Sequence, residues 1–153
     1  MKKFSFKLEK LLKIKEHKEI LAEEAYAKVL QEKVNFEMEN RNMEDAIFSN
    51  LETNFNSFKD GDTIDFHNIS MYERYLTALE LKIEDNEIKK QELEPKLQKL
   101  KENLIQATKE KKTMEKLKEK ELSNYKNEKK KHENKIMDEV ANTMQIRKLG
   151  RDK

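Results

Sequence analysis

The chain has 153 residues, a length that predicts one domain, and 42% of them are charged against 35% hydrophobic, with 2 Gly, 1 Pro, no Cys and no Trp. So few apolar residues exclude a compact globule with a sizeable core and fit long helices, which need to bury only a narrow seam. A net charge of +2 from 33 basic and 31 acidic residues argues against a nucleic-acid binder, in which basic residues would cluster in excess.

The first residues, Met1-Lys2-Lys3-Phe4-Ser5-Phe6, are followed by Lys7, Glu9 and Lys10 rather than by an apolar run, so they do not read as a signal peptide. No stretch approaches the roughly 18 apolar residues that would mark a membrane span. Together with the absence of Cys, this predicts a soluble intracellular protein that does not insert into a membrane. The pattern then predicts a first helix over about 4–58. Its apolar stripe is Ile14, Leu21, Ala25, Val29, Phe36, Met43, Ile47, Leu51, Phe55 and Phe58. Ile14, Ala25, Phe36, Ile47 and Phe58 follow an eleven-residue spacing, which predicts little supercoil or a slightly right-handed one. Phe4, Phe6, Leu8, Leu11, Leu12 and Ile14 cover more than one stripe. They are expected either to pack on the second helix or to enter a partner.

Residues 59–69 carry Gly61 and clustered Asp without helical period, and read as a loop. Asp60, Asp62 and Asp65 fail as a calcium loop, because Ile64 and Met71 stand where ligands are needed. Ser70-Met71-Tyr72-Glu73 fits a capping box and predicts a second helix over about 70–148. One seam row there is Tyr72, Leu79, Asn86, Leu93, Leu100, Ala107 and Met114; the other is Leu76, Ile83, Lys90, Leu97, Leu104 and Lys111. Seven-residue rows of this kind are the a and d positions of a coiled coil, and Asn86, Lys90 and Lys111 weaken it while fixing register. Past Met114 the apolar residues move to Leu117, Leu122, Tyr125, Ile136, Val140 and Met144, which predicts a stutter. Pro95 predicts a kink in an otherwise continuous helix. The last residues, with Gly150, are expected to fray. Neither helix can bury its stripe alone, so the prediction is an all-α fold: one coiled-coil domain over 1–153, a long two-helix antiparallel hairpin.

No constellation carries catalysis. His17, His67 and His132 have no second His one turn away, which argues against a zinc site. Neither a phosphate-cradling Gly-rich loop nor a nucleophile elbow occurs, and the reading is a non-enzyme without cofactor or metal. The basic runs Lys109-Glu110-Lys111-Lys112 and Lys129-Lys130-Lys131 are interleaved with Glu115, Glu119, Glu121 and Glu128, as on a solvated helix face. Near the predicted loop, Phe48, Phe55, Phe58, Phe66, Tyr72 and Tyr75 are either tip packing or interface anchors. Tyr75 falls beside the seam rows, with Lys82 on its flank, and so is expected to be partly exposed.

The run Phe4-Ser5-Phe6-Lys7-Leu8-Glu9-Lys10-Leu11-Leu12-Lys13-Ile14-Lys15-Glu16 resembles the opening of the flagellar export proteins of the FliJ family. Near the other end, Glu133-Asn134-Lys135-Ile136-Met137-Asp138-Glu139-Val140-Ala141 resembles that family's E-x-K-x-x-D-E-x-A pattern. The Tyr75-Leu76-x-x-Leu79 stretch agrees as well; Pro95 and the charged stretch 109–131 depart from it. The resemblance implies a coiled-coil stalk in the ring of a type III export ATPase hexamer, much like the γ subunit of rotary ATPases. It also implies contact with the membrane-embedded export gate, escort of export chaperones, and a cytoplasmic position peripheral to the membrane at the flagellar base. On that reading Phe4, Leu8, Leu11, Leu12, Asp138 and Glu139 face the ATPase, and Tyr75, Leu79 and Lys82 face the gate. The alternative is a generic cytoplasmic scaffold or tether with no ATPase partner.

Overall fold

A computed structural model describes residues 2–59 and 66–151, apart from the side chains of Phe55, Ser57, Phe58 and Lys59. Two helices make up nearly all of it: α1, Glu9–Lys59, of 51 residues, and α2, Phe66–Arg151, of 86 residues. No strand occurs among the described residues. The fold is the expected all-α antiparallel helical hairpin. The predicted loop at Gly61 with Asp60, Asp62 and Asp65, and the aromatic rings of Phe55 and Phe58, lie outside the described residues.

Three helix ends differ from the sequence reading. α1 begins at Glu9 rather than near residue 4, because residues 2–6 are irregular and 7–8 form a turn closed by the Glu9 amide on the Phe6 carbonyl at 3.2 Å. Glu9 in the first turn suits the positive end of the helix dipole. α2 begins at Phe66, ahead of the expected capping box, so Ser70 and Glu73 are interior helical positions and both are exposed. Ile69, Tyr72 and Leu76 are half-buried on one face, so packing extends the helix back past the polar signal. At the far end α2 continues to Arg151, through Gly150, with Lys148 and Arg151 favourably placed at its negative pole.

The chain divides into two compact units, one of residues 1–19 with 106–153 and one of residues 20–105. In the second, both helices present seven-residue rows. On α1 they are Tyr26, Lys33, Asn40, Ile47, Asn54 and Ala22, Val29, Phe36, Met43, Asn50; every one is buried or half-buried. The eleven-residue reading of this helix holds only in part: Ala25, Phe36 and Ile47 are half-buried, but Ile14 is exposed, and Leu21 and Leu51 of the wider stripe are about half exposed. Polar residues fill enough seam positions of α1 that the apolar ones alone trace the wrong lattice. A seven-residue repeat on both helices imposes a left-handed supercoil.

On α2 the rows Tyr72, Leu79, Asn86, Leu93, Leu100 and Leu76, Ile83, Lys90, Leu97, Leu104 are also all buried or half-buried, as predicted. Val29, Met43 and Leu97 are nearly enclosed, and burial of such side chains stabilises by about 1.5–3 kcal/mol each. Around the seam Lys82 pairs with Glu39 at 3.0 Å, Lys90 with Glu37 at 3.6 Å, and Lys33 with Glu94. Lys89 lies 5.9 Å from the Phe36 ring centre. Exposed pairs of this kind contribute about 0–1 kcal/mol each, so apolar burial dominates. Pro95 is exposed between half-buried Leu93 and buried Leu97, and its missing amide falls on the solvent side while the seam runs on.

The unit of residues 1–19 and 106–153 has its own small core of Phe6, Leu12 and Met114, with Phe4 packed against it. Phe4 also meets Tyr125, ring centres 5.6 Å apart and tilted at 50°, and the Tyr125 hydroxyl donates to the Lys2 carbonyl. Cross-helix pairs join Lys15 to Glu110 at 3.0 Å, Lys111 to Glu19 at 2.8 Å and Lys118 to Glu9 at 2.8 Å. Of the residues in the predicted stutter after Met114, Leu122 and Tyr125 are half-buried and Leu117 is exposed. The seven-residue rows continue through Lys118, Glu121 and Tyr125, all half-buried. Lys118 is half-buried there and carries its charge to Glu9.

Candidate interaction surfaces

Two surfaces follow from the sequence reading, one near the chain ends and one near the start of α2. Near the N-terminus the apolar excess splits. Phe4, Phe6 and Leu12 face inward, and Leu12 is only 4% exposed. Leu8, Leu11 and Ile14 are left 39%, 38% and 52% exposed. The packing reading of this cluster holds for the first set, which is core; the second set is exposed surface.

On α2 every described residue from 126 onward is exposed. Ile136, Val140 and Met144 stand one turn apart on this segment, with Met137 and Ala141 beside them, and form an apolar stripe. At about 100° per residue, Lys129 and Lys130 precede this stripe on the same side and Arg147, Lys148 and Arg151 follow it, with Glu133 among them. Asp138 and Glu139 are exposed on the flanks away from it. The sequence reading places this stripe on the continuing seam. The signal that separates the two is the unequal length of the helices, 51 against 86 residues, which leaves more of α2 than α1 can cover.

Near the start of α2, Tyr75 is 47% exposed on the flank of the seam. Leu79 is half-buried within the seam, and Lys82 is exposed but paired with Glu39. Sequence reasoning did not single out the neighbouring Met71 and Leu81, each more exposed than Tyr75. Leu81 contributes with Ser70, Glu73, Arg74, Thr77 and Ala78 to a shallow depression on the outer face of the helix. Phe48 and Phe66 are exposed, while Tyr72 is half-buried and its hydroxyl donates to the Asn50 carbonyl at 3.5 Å.

The perturbed ionisable groups are all members of cross-helix pairs. A hydrogen bond from Lys111 holds the Glu19 carboxyl below the usual carboxylate value, and the same bond raises Lys111. Bonds from Lys15 and Gln106 lower Glu110, and Glu94 raises Lys33. Each shift favours the charged form, the opposite of what poises a group to exchange protons near neutral pH. Among the described residues no group of three or more His, Asp or Glu is placed to hold a metal ion, and no helix is long and apolar enough to cross a membrane. What these surfaces offer is apolar and aromatic contact with other macromolecules.

Comparison with known proteins gives one family: the model described as flagellar FliJ protein matches residues 4–150. No curated protein and no solved structure matches the chain significantly.

Proposed function

The chain belongs to the flagellar FliJ family, a component of the flagellar protein export apparatus, and we propose that within that apparatus it is the coiled-coil stalk that engages the export ATPase hexamer by its chain ends and the export gate by the surface around Tyr75. On this reading it also escorts export chaperones and works on the cytoplasmic side of the membrane at the flagellar base. The observation that carries the proposal is the exposed helical segment after Tyr125, whose Ile136, Val140 and Met144 have no apolar cover. Helices in proteins gain most of their stability by packing an apolar face, so an apolar stripe left open on this segment is better explained by a partner than by folding.

The exposure of each side chain supports the following residue roles. Leu8 and Leu11, with Ile136, Val140 and Met144, make the apolar contact with the ATPase. Phe4 and Leu12 hold the N-terminal strap in place beneath them, because their side chains are used internally. Asp138 and Glu139 border the contact. Two non-equivalent helices inside a ring present different surfaces to different subunits, and such differential contact biases which subunit conformation is populated. At the gate surface Tyr75 supplies an exposed aromatic anchor, Leu79 supports it from the seam, and Lys82 is drawn from its solvent-screened pair with Glu39.

The test is binding to the purified export ATPase and stimulation of its turnover. Deleting residues 1–12 is a poor probe, since it removes the core residues Phe6 and Leu12. L8S/L11S and I136S/V140S/M144S alter only exposed positions. Each is expected to keep full helicity and to weaken ATPase binding by about tenfold or more, as loss of an apolar anchor does. Wild-type binding and stimulation by both variants would refute the ATPase contact.

A further inference from the structure

Among the described residues the buried polar side chains are Asn40, 4% exposed, and Asn86, 2% exposed. They belong to the unit of residues 20–105 and meet each other across the seam: the Asn86 amide donates to Asn40 Oδ1 at 2.9 Å. Asn40 in turn donates to Glu87 Oε1 at 3.1 Å and lies 3.5 Å from the Ile83 carbonyl. No buried side-chain nitrogen or oxygen among the described residues is left without a hydrogen-bond partner. The other polar seam residues here behave differently. Lys33 and Lys90 carry their charges to Glu94 and Glu37 at the edge, and Asn50 and Asn54 are only half-buried.

We propose that the Asn40–Asn86 layer is a register lock, which holds this helix pair in one alignment at some expense of stability. The seam rows repeat every seven residues, so slipping one helix by a heptad restores nearly all apolar contacts. A slip in one direction sets Asn40 against Leu93 and Asn86 against Ile47; in the other it sets Asn40 against Leu79 and Asn86 against Lys33. Either way an enclosed amide faces leucine and loses its partner, which is costly in a low-dielectric seam. The ion pairs cannot enforce register as strongly, because they are solvent-exposed and screened. A single buried Asn at a seam position fixes register in other coiled coils by the same physics. Correct alignment matters to any partner that reads both helices at once, since a slip moves one helix face by two turns against the other.

The chain has no cysteine, so engineered pairs report register without background. Lys33→Cys with Glu94→Cys reads the observed alignment; Lys33→Cys with Lys101→Cys reads a one-heptad slip. With the Asn layer intact, only the first pair should oxidise to a disulfide. In the background N40L/N86L, helicity and thermal midpoint should hold or rise while the 33–101 disulfide climbs to the same order of yield as the 33–94 disulfide. In the background N40L/I47N, which moves one partner of the layer by a heptad, the preferred disulfide should change from 33–94 to 33–101. Persistence of the 33–94 disulfide alone in both backgrounds, with helicity retained, would overturn the proposal. So would loss of helicity in N40L/N86L, since the layer would then be a source of stability and not a device that limits it.

Discussion

The seam of residues 20–105 and the helical stretch after Tyr125 carry apolar residues at similar helical spacing, yet one buries them and the other leaves them open. Val29, Met43 and Leu97 are less than a tenth exposed, whereas Ile136, Val140 and Met144 are 46%, 50% and 67% exposed. The buried region includes four asparagines and two lysines among its seam positions, and the open one has an apolar stripe free of them. Hydrophobicity along the chain therefore does not mark which face is covered. What marks it is the presence of a second helix, which lies along the first region and not along the open stretch among the described residues.

That contrast can be broken by substitution. Leu97→Ala in the closed seam should cost about 2–3 kcal/mol, read as a fall in urea midpoint with little change in slope; Val140→Ala should cost under about 0.5 kcal/mol. Equal losses at the two positions would mean the open stretch is covered after all. The next effect is in binding. Tyr75→Ala should lower gate-domain affinity by about 2 kcal/mol if Tyr75 is an anchor, yet cost under about 1 kcal/mol of folding stability because Tyr75 lies outside the seam. A sharp fall in melting temperature would place Tyr75 among the packing residues, and no change in affinity would place the gate contact elsewhere.

Ending the chain after residue 126 should leave the thermal midpoint nearly unchanged, within about 0.5 kcal/mol of stability, since the removed side chains are exposed. Scanning calorimetry of the truncated and full chains gives the comparison. The smallest effect is the response to pH. Glu19 and Glu110 are lowered from the ordinary value of 4.5, so their contribution is complete above that pH and is lost as pH falls through their lower folded values. Lys33 and Lys111 are raised from 10.5, so theirs is complete below that pH and is lost as pH rises through the higher folded values. Glu19→Gln should flatten the acid limb of a circular-dichroism melting series, and an unchanged limb would mean that the pair with Lys111 contributes nothing.

Much of this was legible from residue order. The two-helix class, the α2 seam through Met114 and the family followed from periodicity and from the motifs at Phe4–Glu16 and Glu133–Ala141. The α1 seam is legible only at Val29, Phe36, Met43 and Ile47, because Lys33, Asn40, Asn50 and Asn54 also stand on it and an apolar-only reading adds Ile14, Leu21 and Leu51 in their place. The start of α2 was missed because Ser70-x-x-Glu73 has the chemistry of a cap while Ile69 supplies a stronger reason to continue the helix upstream. At the chain ends, sequence could list the apolar residues but not divide Leu12 from Leu11. One position along a helix turns a side chain by about 100°, and only the location of Met114 decides which of the two is enclosed.

The ladder of cross-helix contacts also sets an order in time. In the unit of residues 20–105, partners such as Tyr72 and Asn50 or Lys33 and Glu94 are separated by 22 to 61 positions. In the other unit, Lys111 and Glu19 are 92 apart and Tyr125 and Lys2 are 123 apart. Chain-closure entropy grows with the length of the unformed loop, so the near contacts form at lower cost and shorten the loops that the distant ones must close. Folding should therefore run as a zipper that finishes at the Lys2–Tyr125 clasp. The reverse reaction starts there, which makes the Phe4–Tyr125 contact the first to open and the chain ends the most readily released part of the hairpin.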